Sequence, residues 1–398
     1  MRLLSILAVS FAIGGSALAQ EARMTKFGTH FKPIDAVLNK SHKRVEITGA
    51  PSQTAPRYYR LRIRVTNPQS GKWSIVVRSS GGQVLSAFDQ EARICETDGG
   101  CWTKRLDAKL PAVQLSTVSD DVRVEVVDAL YMPSEAETPF YSPMPGNTNE
   151  LLSSLGIPDS DARIALQMQA DNLGMLIGFG PGTDGKPVNW CCSGTRLTSD
   201  LFMTNWHCGA AEKMPETSFW QDDICASTII DMSWDGDSQG REFACRKVEF
   251  SDKSLDVAII RMSGLADGPA LSEPLVRPKL SWERPSNGNS VAILHHPACQ
   301  AKSITRGCSV LNAQVAVWTG PEDGDPKTDF SHNCTTETGS SGGPVYSSEG
   351  KIVGIHHLGV SPARMEPGNF GVSAEAILSE IQQSNQALFD ELGVPPRP

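Results

Sequence analysis

The stretch from Thr336 to Tyr346, TETGSSGGPVY, is almost all small residues, followed by a strand-like Val-Tyr. Such a run is ordinarily a turn or a linker. It is also a backbone able to present one side chain, Ser341, provided the rest of the chain supplies partners. A serine hydroxyl is a weak nucleophile at neutral pH. It needs an adjacent base, and the base needs an orienting acid. Histidine is the usual base because its pKa lies near working pH. His207 stands in LFMTNWHCGAAEK, at the end of a strand pattern and directly before a cysteine. Asp256 opens the apolar strand pattern SLDVAIIRM, a place where a carboxylate is partly buried yet ionised.

TNWHC, SLDVAII and TGSSGGP follow one another in the order His, Asp, Ser. In that order the chain resembles the chymotrypsin-like serine proteases. AILHHP, GSSGGPVYS and VGIHHLG are most similar to the secreted bacterial lysyl endopeptidases and their relatives. The resemblance runs from about Leu173 to Leu392. It implies Ser341 as nucleophile, His207 as base and Asp256 as the acid that orients it. It also implies an oxyanion hole from the backbone N–H groups of Gly339 and Ser341, with no cofactor. In that family the cysteine after the catalytic histidine bonds one sixteen positions earlier, here Cys192 with Cys208. The substrate is expected to pair as an added strand near His357 to Gly359.

Two departures matter. Trypsin-type zymogens carry an aspartate before the nucleophile, which pairs with a newly freed N-terminus; here that residue is Ser340. No Ile-Val-Gly-Gly type of N-terminus is found either, so activation by such an ion pair is not expected. The resemblance also places Thr335 at the base of the first specificity pocket, where trypsin has an aspartate. Gly368 falls near an alternative acid position and Glu366 lies close by. Thr336 and His356 match positions that bind a substrate carboxylate in staphylococcal-type glutamyl endopeptidases. Preference for lysine and preference for glutamate both stay open.

These residues need a frame. From about Leu173 the chain shows short strands separated by Gly, Pro, Asn and Asp turns, then the amphipathic stretch SAEAILSEIQQSNQALFDELG with Ser373 as N-cap and Gly393 as stop. The expected fold is all-β: a chymotrypsin-like double antiparallel β-barrel with a C-terminal helix, over residues 161–393. Before it, YYRLRIRVTNP and KWSIVVRSSGGQVLSAF alternate as half-buried strands do. Residues 25–132 are read as a small β-sandwich and 133–160, rich in proline, as a linker with a short helix capped by Asp159 or Ser160. The sandwich suits a prodomain, a carbohydrate-binding module or a permanent structural part. The first residues, MRLLSILAVSFAIGGSALAQ, have a charged start, an apolar core and an Ala-Leu-Ala site, and residues 1–19 read as a signal peptide.

Export would place the ten cysteines in an oxidising space. Beyond Cys192–Cys208, Cys95 lies close to Cys101, and parsimony pairs Cys191 with Cys334, Cys225 with Cys245 and Cys299 with Cys308. His295-His296 and His356-His357 invite a metal, but neighbours on a strand point to opposite faces, so no metal is expected. The acidic turns at Asp235 to Ser238 and Glu322 to Asp325 read as solvated loops. The net charge of −9 argues against a nucleic-acid partner. The partners expected are protein or peptide substrates, with no membrane span and a monomeric chain. The reading is a secreted serine endopeptidase, extracellular or periplasmic. A silent binding protein on a protease fold and a surface-binding protein with an adhesive sandwich are the alternatives.

Overall fold

Along Trp73–Arg78 the residues WSIVVR alternate buried and half-buried, so one side of the strand must meet a core. Later strands such as Leu201–Thr204 and Asn369–Ser373 are buried throughout and lie between two packed layers. This computed structural model describes residues 29–48, 58–91, 100–106, 108, 110–132, 148–151, 169–181, 187–210, 219–234, 241–265, 268–315, 327–359 and 368–397. The signal peptide, Cys95, the Asp159 or Ser160 cap, Glu366 and both acidic turns fall outside them.

Two antiparallel sheets form the N-terminal part. One runs Thr29–Phe31, Arg123–Met132, Tyr58–Thr66, Cys101–Trp102, with Val37–Leu38 also on Arg123–Met132. The other runs Arg44–Glu46, Ala112–Thr117, Trp73–Arg78, Val84–Asp89. Leu61, Ile63, Ile75, Val77, Leu115 and Val124 fill one core across both. The hairpin turns where expected, with Gly82 at φ +84° and its N–H on Ser79 O.

Two six-stranded antiparallel barrels follow. The first closes through Leu173–Pro181, Pro187–Arg196, Leu201–Thr204, Val257–Gly264, Glu242–Asp252 and Ile229–Asp231. The second runs Ser303–Val315, Ser290–His295, Pro344–Ser347, Ile352–Leu358, Asn369–Ser373, Asp329–His332, and returns to Ser303–Val315. Within the stretch read as linker, Thr148–Leu151 adds an edge strand to Ser303–Val315.

The C-terminal helix is interrupted. Ala374–Ser384 starts on Ser373, whose side chain accepts from the Ala376 N–H. Gln386–Leu392 restarts on Asn385, whose side chain accepts from Leu388 N–H, and ends at Gly393 with φ 64°. A residue that caps a new helix cannot also continue the old one. Ile377, Leu378, Ile381, Leu388, Phe389 and Leu392 pack on Met203 and Val257 of the first barrel and on Ile355 and Val372 of the second. At about 1.5–3 kcal/mol for each large apolar side chain buried, this strap fixes one barrel against the other.

Cys192–Cys208 forms as the resemblance implied, and Cys225–Cys245 as parsimony suggested. The other two pairings differ from expectation. Cys191 bonds Cys299, and Cys308 bonds Cys334, in place of Cys191–Cys334 and Cys299–Cys308. The reason is the strand pleat: Cys191 and Cys192 point to opposite faces. Cys192 turns into the first barrel, and Cys191 turns out to meet Cys299 beyond the end of Ser290–His295. Cys308 sits on a strand that pairs beside Asp329–His332, which carries Cys334 within reach. These four bonds point to an oxidising, extracytoplasmic space. Among the described residues no helix is long and apolar enough to cross a membrane.

Candidate active site

Leu201–Thr204 ends in Asn205, whose Nδ2 donates to Asp256 O at 2.8 Å. A single turn of 3-10 helix, His207–Gly209, then carries the imidazole out of the strand. Cys192–Cys208 clamps that turn from behind, and Trp190 Nε1 donates to Cys208 O at 2.7 Å. Asp256 comes from the hairpin between Glu242–Asp252 and Val257–Gly264. It holds φ +50°, a left-handed backbone that aspartate tolerates better than most residues. Its carboxylate is fully buried and takes the His207 backbone N–H on Oδ1 at 2.9 Å and His207 Nδ1 on Oδ2 at 2.7 Å. Two contacts on one residue fix both the position and the tautomer: Nδ1 carries the proton and Nε2 is left as the base.

Asp256 has a second imidazole. His357 Nδ1 lies 3.2 Å from Oδ2, while His357 Nε2 lies 2.9 Å from Asp329 Oδ2. His357 is therefore an imidazolium that donates to two carboxylates. Burial disfavours that charge, but Asp329 and Asp256 outweigh it and push the His357 pKa up to about 10. Burial likewise opposes ionisation of Asp256, yet His207 and His357 together hold its pKa below the usual carboxylate range.

Ser341 reaches this seam through its backbone. Ser193, beside Cys192, donates its N–H to Ser341 O at 2.7 Å and its Oγ–H to Gly339 O at 2.7 Å. From the other side, Gly342 N–H donates to His356 O at 2.8 Å. Gly342 is obligatory: at φ +84°, a Cβ there would lie 2.1 Å from Ser193 O and 2.5 Å from Thr204 Oγ1. Among the described residues the Gly339 and Ser341 amides donate to no acceptor, whereas those of Ser340, Gly342 and Gly343 do. Two unspent N–H groups, one on the serine and one two residues before it, are what an oxyanion requires. Among the described residues no hydrogen bond between the Ser341 hydroxyl and the His207 ring is seen. Such contacts commonly tighten only when substrate is bound.

Among the described residues the expected specificity positions carry no carboxylate. Thr335 is buried and Thr336 half-buried. Asn369 bridges the two walls: its Nδ2 donates to Cys334 O at 2.6 Å, and its Oδ1 lies 3.9 Å from a Cβ built on exposed Gly359. Gly368, at φ +108°, presses on His332 O, so that position does not project an acid. His356 Nδ1 faces His332 Nε2 at 3.3 Å. Because the Cys334 backbone N–H can only donate, His332 Nδ1 accepts it at 3.2 Å. A neutral His332 then donates from Nε2 to His356 Nδ1, which leaves His356 with Nε2–H as its donor. Burial pushes His332 down to about 3 and His356 well below its ordinary value, so both rings are neutral.

The sequence flagged the two histidine pairs without finding their use. Strand geometry gives it. His357 turns to Asp256 and Asp329, and its neighbour His356 turns to His332. Likewise His295 faces Ser340, and His296 Nδ1 faces Gln300 O. Asp329 and His332 carried no local signal. Cys192, His207 and Cys208 lie close enough to hold an ion, but both sulfurs are spent in one disulfide.

A pH optimum for stability follows. His295 and His332, both pushed to about 3 by burial, bind fewer protons folded than unfolded below pH ~6.5, so stability falls as pH drops from there. His357 binds its proton more tightly folded, so its contribution is complete below ~6.5 and is lost as pH rises toward about 10. Urea midpoints should therefore peak near pH ~6.5 and drop on both sides. A midpoint that kept rising from pH 6.5 to 9.5 would contradict the charged His357.

Residues 192–355 match the family model described as a trypsin-like peptidase domain. No curated protein sequence matches. Among solved structures the chain is similar to the Rv3671c protease of M. tuberculosis. The inactive form is 19% identical with a TM-score of 0.39, over 62% of this chain and 99% of that one. The active form is 18% identical at 0.40, over 62% and 89%. A serine-to-alanine mutant in the inactive form is 17% identical at 0.38, over 65% and 98%.

Proposed function

We propose that this chain is a secreted serine endopeptidase that works through Ser341, His207 and Asp256. The observation that carries the reading is the double contact of buried Asp256 with His207, at 2.7 Å through Nδ1 and 2.9 Å through the backbone, with the Ser341 turn bonded to Ser193 next to the Cys192–Cys208 bond that clamps His207. Ser341 Oγ adds to the scissile carbonyl carbon as its proton passes to His207 Nε2. The carbonyl oxygen takes up negative charge opposite the N–H groups of Gly339 and Ser341. Collapse expels the amine, which takes the proton from His207 and leaves an ester on Ser341. Water then repeats the sequence and frees the acid.

For the substrate side chain we favour glutamate over lysine. Thr335, Thr336 and His356 offer hydroxyls and one imidazole N–H donor, and Gly368 offers no side chain. Among the described residues a lysine ammonium would find no carboxylate there, whereas a carboxylate would be met by donors.

The test is a cleavage-site profile. The purified mature chain is incubated with a mixed peptide library beside Ser341→Ala. Cuts should vanish in the variant and cluster after Glu. Clustering after Lys would overturn the specificity reading alone. No cuts, together with no reaction towards a fluorophosphonate, would favour a binding protein on this fold.

A further inference from the structure

Ser340 is fully buried directly before the candidate nucleophile, and its hydroxyl is the start of a hydrogen-bond chain. The Glu337 N–H donates to Ser340 Oγ at 3.0 Å. Ser340 Oγ lies 2.8 Å from His295 Nδ1, and His295 Nε2 lies 3.0 Å from Thr305 Oγ1. A hydroxyl has one proton to give. With the Glu337 amide on one of its two lone pairs, the Ser340 hydroxyl either donates to Nδ1, with Nε2–H donated to Thr305, or accepts Nδ1–H, with Thr305 donating to Nε2; in both tautomers one neutral ring joins Ser340 to Thr305. His295 and Thr305 stand on neighbouring strands of the second barrel, Ser290–His295 and Ser303–Val315. The chain is neutral and enclosed, and its anchor is the barrel wall itself.

The turn it holds is demanding. Gly339 adopts φ +93°, with space for a Cβ closed by His296 O at 2.7 Å and Cys299 N at 2.9 Å. Ser340 N–H donates to Glu337 O, and Gly343 N–H to Ser340 O. Ser340 thus ties the turn to the second barrel through its side chain, beside the backbone ties that Ser193 makes to Gly339 O and Ser341 O from the first barrel. If its hydroxyl lost its partner, the Gly339 and Ser341 amides on either side would keep only the ties of their peptide carbonyls, Thr338 O to the Ala298 N–H and Ser340 O to the Gly343 N–H, and would point less exactly at a common site.

We propose that the Ser340–His295–Thr305 chain holds the nucleophile turn in its working shape from within the second barrel, so that the uncleaved chain is competent. His295 and Thr305 are positioning residues that act through Ser340. The proposal rests on the serine endopeptidase reading and adds how its oxyanion site is kept ready with no freed N-terminus.

The experiment uses the full mature chain, a short peptide ester and a fluorophosphonate, with intact mass read before and after. The uncut wild type should take up one phosphonate per chain. Thr305→Val keeps the shape of the side chain but removes the hydroxyl. It should lower kcat by about 10-fold with KM nearly unchanged, since the change reaches only the turn. Thr305→Ser keeps the hydroxyl and loses a methyl group, and it should stay within about 2-fold of wild type. A packing role would give the reverse order. Ser340→Ala should lower kcat by up to about 100-fold, the scale of losing one oxyanion donor; it also serves if Thr305→Val fails to fold. Equal activity of Thr305→Val and wild type would overturn the proposal. So would Thr305→Ser falling as far as Thr305→Val, or labelling of wild type only after the chain is cut. If wild type reacts in neither form, the endopeptidase reading itself fails, and the inference with it.

Discussion

Asparagine at position 256 is expected to lower kcat about 10,000-fold at pH 7 while leaving KM close to its normal value. The magnitude follows from a tautomer change that the contacts dictate. Oδ1 of Asp256 accepts the His207 backbone N–H, so the amide oxygen must take that place in Asp256→Asn. The amide nitrogen then faces His207 Nδ1 and donates to it. The ring proton moves to Nε2, and the base that should accept from Ser341 becomes a donor. The same change takes from His357 one of its two carboxylates, so its pKa should fall from about 10 and stability at neutral pH should drop. Asp329→Asn separates the two effects. It also removes one carboxylate from His357, but it does not touch His207. Its urea midpoint should fall like that of Asp256→Asn, while kcat stays within about 10-fold of wild type. Measured side by side, loss of kcat confined to Asp256→Asn would establish the His207 contact as the working one. Retention of kcat in Asp256→Asn would remove Asp256 from the mechanism.

The three candidate residues stand out because each sits in a short local pattern: a small-residue turn, a strand ending in His-Cys, an acid opening an apolar strand. The N-terminal sheets were legible through alternation, and the barrels through short strands between turns together with the family resemblance. Long-range partners were not. Asp329 meets His357 across 28 positions, and Arg60 meets Asp231 across 171, and no local spacing encodes such contacts. Cys191 was mispaired for a related reason. Parsimony joins neighbours in sequence, whereas the pleat sends adjacent cysteines to opposite faces. The interrupted C-terminal helix could have been read from Asn385, a capping residue in the middle of an otherwise continuous apolar pattern.

Alanine at position 60 should destabilise the whole chain by about 3–5 kcal/mol, the usual cost of leaving buried charges uncompensated. Arg60 projects from the N-terminal strand Tyr58–Thr66, fully buried, into the first barrel. Its Nη2 donates to Asp231 Oδ2 at 2.7 Å and its Nε to Glu242 Oε2 at 2.9 Å. Arg105, also N-terminal, donates from Nε to Glu242 Oε1 at 2.8 Å and from Nη2 to Ser233 Oγ at 2.7 Å. Burial opposes ionisation of Asp231, but Arg60 and Arg105 outweigh it and hold its pKa low; burial and the nearby Asp231 charge leave Glu242 the harder of the two to ionise. Around these ions Trp102 packs against Phe179 at 5.1 Å between ring centroids, so the contact excludes water. An ion cluster of this kind is costly to break from one side and nearly neutral to replace as a whole. Arg60→Met and Arg105→Met combined with Asp231→Leu and Glu242→Met should therefore recover most of what Arg60→Ala loses. Recovery would show that the loss came from stranded charge. The consequence concerns the N-terminal sheets. A releasable prodomain would leave Asp231 and Glu242 facing an empty surface, so a chain cut within residues 133–147 should stay together on size exclusion and separate only with unfolding. Glu242 begins the strand Glu242–Asp252, and Asp256 lies just past its other end, on the order of 30 Å away along an extended chain. The clamp therefore grips the first barrel at the end of that strand away from Asp256, which fits a permanent support better than a plug. Separation of the two pieces under native conditions, with activity rising as the sheets leave, would restore the prodomain reading.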